Sequence, residues 1–186
     1  MTTSRPFYIV GLCGLATAGK STAAAAFYGF ERASFAAPIR AMLGAIGLTA
    51  DDMGERGKNY PLPWLGGKTP RQLMQSLGTE WGREHVSPDI WLSLAERRIS
   101  QAREVRKPGI VFDDVRFDNE ARLIHVMGGK VLRIERDGLA PSMTHASERG
   151  VSPELVDGTI VNTGRDPEIF LASVVAAAHA HLGIAP

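Results

Sequence analysis

The sequence has very little cysteine, few aromatic residues and almost no net charge. Cys13 is the only cysteine among 186 residues, so an internal disulfide and a cysteine-ligated zinc site are both excluded. The formal net charge of +1 gives no field that would favour nucleic acid polymers or a membrane. No apolar stretch approaches a membrane span, and the residues before the first apolar run are too few and too polar for a signal peptide. We therefore expect a cytoplasmic protein that holds its ligands locally.

Apolar strands alternate with amphipathic helices along the chain. This order predicts a three-layer α/β fold, in which helices flank a mostly parallel sheet of five strands. A length of 186 residues suits a single domain, 1–186. The predicted strands are 7–13, 32–35, 109–114, 130–134 and 159–161, and the predicted helices are 22–30, 38–46, 70–81, 89–105, 119–127 and 166–182. Residues 48–68, rich in Gly and Pro, are expected to form an irregular loop.

A complete phosphate-binding loop follows the first predicted strand. Residues 14–21 match the P-loop pattern G-x-x-x-x-G-K-[ST], and an alanine-rich helix follows them. Glycines in such a loop let successive backbone N–H groups point inward at polyphosphate oxygens. Lys20 is expected to reach the β- and γ-phosphates, and the Ser21 hydroxyl to bind Mg²⁺. The predicted ATP-binding residues are Gly14, Ala16, Thr17, Ala18, Gly19, Lys20, Ser21 and Thr22.

Two acids end the apolar run 110–112, which is predicted to be a central strand. Ligands of open parallel sheets bind beyond the carboxyl ends of the strands, so an acid there can face the P-loop and orient Mg²⁺ or its waters. Successive strand residues point to opposite faces, so at most one of Asp113 and Asp114 is expected to do this. The alternative is that both acids only solvate the strand end. The neighbouring P-loop favours the functional interpretation.

Arginines are abundant near the predicted site, and any one of them alone is more often a solvated surface residue. Guanidinium groups stabilise the charge of a transferring phosphoryl group and bind an acceptor phosphate with two parallel hydrogen bonds. The candidates are Arg40, Arg71, Arg83, Arg116, Arg133 and Arg136. Trp81 and Trp91 lie on predicted helical faces, where a core role is commoner than base stacking.

Four further stretches resemble the deoxynucleoside monophosphate kinases of tailed bacteriophages and prophages. They are Phe35-Ala-Ala-Pro-Ile-Arg40, Thr69-Pro-Arg-Gln-Leu-Met-Gln-Ser-Leu-Gly-Thr-Glu-Trp-Gly-Arg83, Asp114-Val-Arg-Phe-Asp-Asn-Glu-Ala121 and Thr144-His-Ala-Ser-Glu148. With the P-loop they run in family order over nearly the whole chain. The resemblance implies an ATP- and Mg²⁺-dependent kinase that converts a deoxynucleoside monophosphate to the diphosphate. Members of the family are often homodimers. One departure is that this chain is compact in 48–68, where larger relatives carry insertions.

The resemblance also implies a role for individual residues. Lys20, Asp114, Arg116 and Arg136 would be catalytic, with Asp114 binding Mg²⁺ through water. An acceptor-binding helical region, about 36–105, would contribute most of the monophosphate pocket. The pocket residues would be Arg40, Arg71, Gln75, Trp81, Arg83, Asp114, Arg116 and Glu120. A lid-like segment, about 136–153, would close over the nucleotides, and the lid residues would be Arg133, Arg136, His145 and Glu148.

Other functions are compatible with a P-loop. A kinase of another small molecule, such as a sugar acid, would share the loop and the fold. A non-catalytic nucleotide-binding module would bind ATP without turnover, and the arginines and the acidic strand end argue against it. A GTP-dependent switch requires a guanine-reading Asn-Lys-x-Asp, which the sequence lacks. The letters of Asp51-Asp-Met-Gly54 match D-x-x-G, but no predicted strand precedes them.

Overall fold

The five predicted strands form one sheet in which every neighbouring pair is parallel. The computed structural model describes residues 6–139 and 150–183. The strands are β1 (Tyr8–Cys13), β2 (Glu31–Ala33), β3 (Gly109–Val115), β4 (Lys130–Arg136) and β5 (Gly158–Asn162). Their order in the sheet is β2-β3-β1-β4-β5. The α/β class and the five-stranded sheet are therefore confirmed, and the sheet is parallel throughout.

Helices cover both faces of the sheet. Helices α1 (Lys20–Ala25) and α7 (Pro167–Leu182) pack on the face to which Val10 and Leu12 of β1 point. The next strand residue, Gly11, faces the other way, and a Cβ there would stand 2.5 Å from Cδ1 of Ile124 in α6 (Asp118–Val126). These helices and the sheet make the three predicted layers.

The lengths of these helices follow from their ends. The Asp166 side chain accepts the N–H groups of Glu168 and Ile169 at the start of α7, within one residue of the predicted start, and Gly183 ends the helix with φ 65°. The first helix differs from its prediction, because it begins at Lys20 and ends at Ala25, and the residues up to Phe30 form turns. Within the described residues, no helix is long and apolar enough to cross a membrane.

The chain divides into two compact units. The sheet unit comprises Met1–Ser34 and Glu96–Pro186, and the helical unit comprises Phe35–Ala95. The helical unit contains α2 (Ala37–Ala45), α3 (Ala50–Met53), α4 (Pro70–Gln75), a π-helix (Ser76–Val86) and the first residues of α5 (Ile90–Glu104). Its own apolar core is built on Ile39, Leu43, Leu48 and Trp91. Each unit therefore has a separate hydrophobic core.

Two predictions for the helical unit were wrong. The expected loop 48–68 contains α3, whose capping box joins Thr49 and Asp52, as well as a 3₁₀ turn, Pro63–Leu65. The helix that begins at Pro70 widens into the π-helix after Gln75, where regular α-helical spacing was expected. Of the two tryptophans weighed between a core role and base stacking, Trp81 is 41% exposed and Trp91 is buried at 3%.

One half-buried carboxylate joins α6, β4 and the residue before β5 in the sheet unit. Asp157, just before β5, bonds the His125 ring of α6 at 2.8 Å, the Lys130 ammonium of β4 at 2.8 Å and the N–H of Val131 at 2.8 Å. Burial alone would raise the pKa of Asp157. The hydrogen bonds from Lys130, Val131 and His125 outweigh it and hold the pKa below its ordinary value of 3.8.

Replacing this carboxylate predicts a pH-dependent loss of stability. A depressed carboxyl pKa stabilises the fold above pH 3.8, and this contribution is lost as the pH falls through the folded-state value. Asp157→Asn should lower the free energy of unfolding at pH 7 by about 1–3 kcal/mol, with a gap that narrows toward pH 3. Urea unfolding at several pH values measures this, with the exposed Asp137→Asn as control. A gap that is constant with pH would contradict the assignment.

Candidate active site

The P-loop begins where β1 ends, at the carboxyl edge of the sheet. Gly14 has φ 131°, and a Cβ there would stand 2.2 Å from the Ile134 carbonyl oxygen of β4. Gly19 has φ 107°, and its Cβ would stand 2.6 Å from Nδ2 of Asn162 in β5. Both glycines are therefore required, since any side chain would meet strained backbone and an occupied space.

Side chains engage the carbonyl groups of the loop. The Lys20 ammonium donates to the carbonyls of Gly14 at 2.8 Å and Leu15 at 2.7 Å. The carbonyl of Thr17 accepts from Nη1 of Arg136 at 3.2 Å, and that of Ala18 accepts from Nδ2 of Asn162 at 2.9 Å. The negative ends of these peptide dipoles are thus paired with positive or amide groups. An anion approaching the N–H side of the loop meets less repulsion from them.

The backbone of Thr17 has a strained conformation. Its φ is 63°, which is rare for a β-branched residue. Such strain persists only where the surroundings impose it, and it concentrates at functional sites. The bond from Arg136 to the Thr17 carbonyl is one such constraint.

The charge of Lys20 is poorly solvated. Burial lowers the pKa of Lys20, and the positive charge of Arg116 lowers it further, while Cys13, Asp114 and Asp113 act in the opposite direction. A phosphate placed beside the ammonium would relieve both the burial and the repulsion from Arg116. The surroundings of Lys20 therefore suit a neighbouring anion.

The two acids at the end of β3 have different surroundings. The Asp114 carboxylate accepts from the Ser34 hydroxyl at 2.5 Å, and the residue is only 8% exposed. Asp113 lies 3.7 Å from the Arg32 guanidinium and is more exposed. Arg32 also donates to the Ser21 carbonyl at 3.0 Å. Both acids thus lie near the P-loop, and the role of Asp114 stays a prediction.

Glu120 and Arg133 have partners that explain their burial. Oε2 of Glu120 accepts the backbone N–H groups of Arg116 at 2.8 Å and Phe117 at 3.2 Å, at the start of α6. Nη2 of Arg133 donates to the Val151 carbonyl at 2.6 Å. Burial raises the pKa of Cys13, and the charge and hydrogen bond of Arg133 oppose this rise, which places the guanidinium beside the thiol. Through these contacts the two side chains stabilise the backbone at Arg116, Phe117 and Val151.

The remaining predicted acceptor residues lie in the helical unit. Arg40 is exposed on α2, and Arg71 and Gln75 are half-buried on α4. Trp81 and Arg83 lie on the π-helix. Helices α2, α4 and the π-helix pack around one core, so these side chains belong to one compact unit. His145 and Glu148, and residues 140–149 of the predicted lid, lie outside the described residues.

The donor atoms near the P-loop suit a hard cation. The Ser21 hydroxyl and the carboxylates of Asp113 and Asp114 are oxygen ligands, the kind that Mg²⁺ prefers. Among residues 6–139 and 150–183, no group of three or more His, Cys, Asp and Glu side chains could hold a metal. Oxygen donors of this kind commonly bind Mg²⁺ together with phosphate oxygens.

The loop, the strand order and the flanking helices define a P-loop nucleotide-binding protein. A family model described as deoxynucleotide monophosphate kinase matches residues 68–170, more than half of the chain. The putative deoxynucleotide monophosphate kinase of Acanthamoeba polyphaga mimivirus is 30% identical over 154 residues, which cover 75% of this chain and 80% of that protein. The chain belongs to the deoxynucleotide monophosphate kinase family.

Further similarities are weaker. The deoxynucleoside-5'-monophosphate kinase of Escherichia phage T5 is 29% identical over 106 residues, covering 50% of this chain and 39% of that protein. A solved structure of a sugar kinase from Janibacter sp. covers 97% of each chain at 18% identity, with a TM-score of 0.47. The resemblance stated from the sequence motifs is thus confirmed by the family match, and the enzyme class is a phosphotransferase.

Two residues of the site were not recognised from the sequence. Asn162 and Arg32 each bond a carbonyl of residues 14–21, but they come from β5 and β2, far from the P-loop in sequence. The parallel order of the strands was the available signal, because it brings the strand ends to one edge.

Asn162 generates a prediction about ATP binding. Asn162→Ala removes the bond to the Ala18 carbonyl and should weaken ATP binding about three- to tenfold, since the loop loses one constraint. Calorimetric titration of ATP measures this. The control Asn59→Ala removes an exposed asparagine of the helical unit and should leave ATP affinity unchanged. Equal ATP affinities for Asn162→Ala and wild type would contradict the prediction that this bond stabilises the shape of the loop.

The adjacent acids supply a matched pair of variants. Asp114→Asn should lower kcat by about 100-fold or more, because a fixed charge beside the phosphates is lost. Asp113→Asn removes the same charge from the more exposed neighbour, so the decrease in kcat should be much smaller. Steady-state assays on both variants compare them directly. The opposite ranking would assign the catalytic acid to Asp113.

Proposed function

We propose that this chain transfers the γ-phosphoryl group of ATP to the phosphate of a deoxynucleoside 5'-monophosphate, which gives the diphosphate and ADP. The observation that carries the proposal is the P-loop, with Lys20 and Arg136 bonded to its carbonyls, in a chain of the deoxynucleotide monophosphate kinase family. The two relatives are named as kinases of deoxynucleoside or deoxynucleotide monophosphates, and these names supply the acceptor class.

ATP would be the donor bound at the P-loop. The backbone of residues 14–22 would hold the phosphates, and Lys20 would leave its two carbonyl partners to contact the β- and γ-phosphates. Mg²⁺, held by Ser21 and through water by Asp114, would neutralise part of the phosphate charge. Asp114 is kept in place by the Ser34 hydroxyl, so its carboxylate enters the reaction already oriented.

The protein's main task would be positioning and charge stabilisation. The acceptor phosphate is already an anion, so no general base has to create the nucleophile. Lys20, Arg116 and Arg136 would stabilise the charge that spreads over the transferring phosphoryl oxygens. Lid residues, with Arg133 bonding the Val151 backbone, would exclude water and suppress ATP hydrolysis.

The helical unit would bind the acceptor. Arg40, Arg71 and Arg83 supply guanidinium groups that suit a phosphate, and Gln75 supplies an amide for hydrogen bonding. Trp81 is exposed enough to stack on a base. Glu120 would act from the sheet unit by fixing the backbone of Arg116. The family resemblance also supports a homodimer, which sedimentation equilibrium would test.

The Lys20→Ala variant tests this function. It should reduce ADP formation by several orders of magnitude in a coupled assay with ATP, Mg²⁺ and each common ribo- and deoxyribonucleoside monophosphate. The exposed Lys107→Ala is the matched control and should retain wild-type turnover. Circular dichroism checks that both variants are folded. Near-normal turnover by a folded Lys20→Ala would refute the proposal, as would a wild-type enzyme inactive with every acceptor.

A further inference from the structure

The helical unit contains a π-helix of 11 residues, Ser76–Val86. Longer π-helices are rare, because most appear as single-turn bulges inside α-helices, often at functional sites. At its end the Ser87 N–H donates to the Gly82 carbonyl at 2.9 Å, five residues back. Two predicted acceptor residues, Trp81 and Arg83, lie on this helix. The contacts that stabilise the π-helical form therefore also set the directions of the Trp81 and Arg83 side chains.

Trp91 of α5 contacts the π-helix at three places. Its indole N–H donates to the Gly78 carbonyl at 2.7 Å, in a buried environment. Its ring fills the space beside Gly82, where a Cβ would stand 2.4 Å from Cζ2 of the indole. The ring centroids of Trp91 and Trp81 are 6.4 Å apart, with the planes tilted by 44°. The buried tryptophan thus supports the exposed one.

The Gly78 carbonyl also connects Trp91 to Arg83. Nη1 of Arg83 lies 3.5 Å from the same oxygen, a long contact beside the short one from the indole. Loss of the indole donor would remove the shorter of these two hydrogen bonds and leave the guanidinium contact to the carbonyl. Arg83 would then be drawn toward the carbonyl and away from an acceptor phosphate.

Two glycines prevent the helix from shifting in register. Gly82 permits the approach to Trp91, and a Cβ on Gly78 would stand 3.0 Å from Cδ1 of Ile39 in α2. Conversion of the π-helix to an α-helix would shift its register by one residue. Residues that have a side chain would then replace the glycines opposite Trp91 and Ile39. Trp91 and Ile39 therefore oppose that conversion by close packing.

We propose that Trp91 is a positioning residue for the acceptor monophosphate, which acts by holding Ser76–Val86 as a π-helix and so directing Trp81 and Arg83. The inference rests on the proposed kinase function and deepens it. Trp91 is buried, so it would act through these two side chains and not by contact with the acceptor. Its effect is specific to the acceptor, because its contacts lie within the helical unit and the ATP-binding loop belongs to the sheet unit.

The Trp91→Phe variant isolates the indole N–H, because it keeps an aromatic ring. It should raise KM for the deoxynucleoside monophosphate about five- to tenfold, the effect of one lost buried hydrogen bond. KM for ATP should stay within about twofold of wild type. The control Leu48→Ala removes volume from the same core, and the leucine side chain has no hydrogen-bond donor to lose. It should lower Tm without raising the acceptor KM.

Amide hydrogen exchange supplies a second measurement on the wild-type chain. Each of the four common deoxynucleoside monophosphates is added in turn, and the accepted one should protect Ser76–Val86, whereas ATP alone should not. This measurement decides the question if Trp91→Phe does not fold. Unchanged acceptor KM in a folded Trp91→Phe, an equal rise in Leu48→Ala, or no acceptor-dependent protection would each overturn the inference. A wild-type enzyme without any kinase activity would instead overturn the proposed function.

Discussion

The engagement of the P-loop carbonyls is the interaction on which the rest of the site depends. Lys20, Arg136 and Asn162 each bond at least one carbonyl of residues 14–18. These side chains come from α1 and from the ends of β4 and β5, so the loop has its shape only when the sheet is assembled. The strained φ of Thr17 is one consequence. The phosphate site is therefore a property of the whole sheet unit as well as of the glycine motif.

The electrostatics of the sheet unit follow from this arrangement. Lys20 is buried and lies in the field of Arg116, which together lower its pKa. The nearby carboxylates of Asp113 and Asp114 compensate only in part. Under the proposed function, a polyphosphate with its cation would complete the balance, and the binding energy of ATP would help to organise the loop for transfer. The Ser34 hydroxyl orients the Asp114 carboxylate in a similar way, because the hydrogen bond between them requires no ligand.

Local patterns predicted much of this structure. The P-loop and the parallel strands follow from glycine spacing and apolar runs, and the predicted helix 166–182 differs from α7 by one residue. The π-helix was missed, because its register depends on the packing of Gly78 and Gly82 against side chains distant in sequence. Asn162 was missed for the same reason, since its partner lies on another element. Tertiary packing, which a linear pattern does not contain, decides both cases.

The fate of the γ-phosphoryl group tests the central claim most directly. The wild-type chain is mixed with ATP labelled at the γ-phosphoryl, Mg²⁺ and each deoxynucleoside monophosphate in turn, and the products are separated by chromatography. Our account predicts that the label appears in the deoxynucleoside diphosphate and that little is released as inorganic phosphate. Label found only in inorganic phosphate, or transferred to a sugar acid and to no monophosphate, would contradict it.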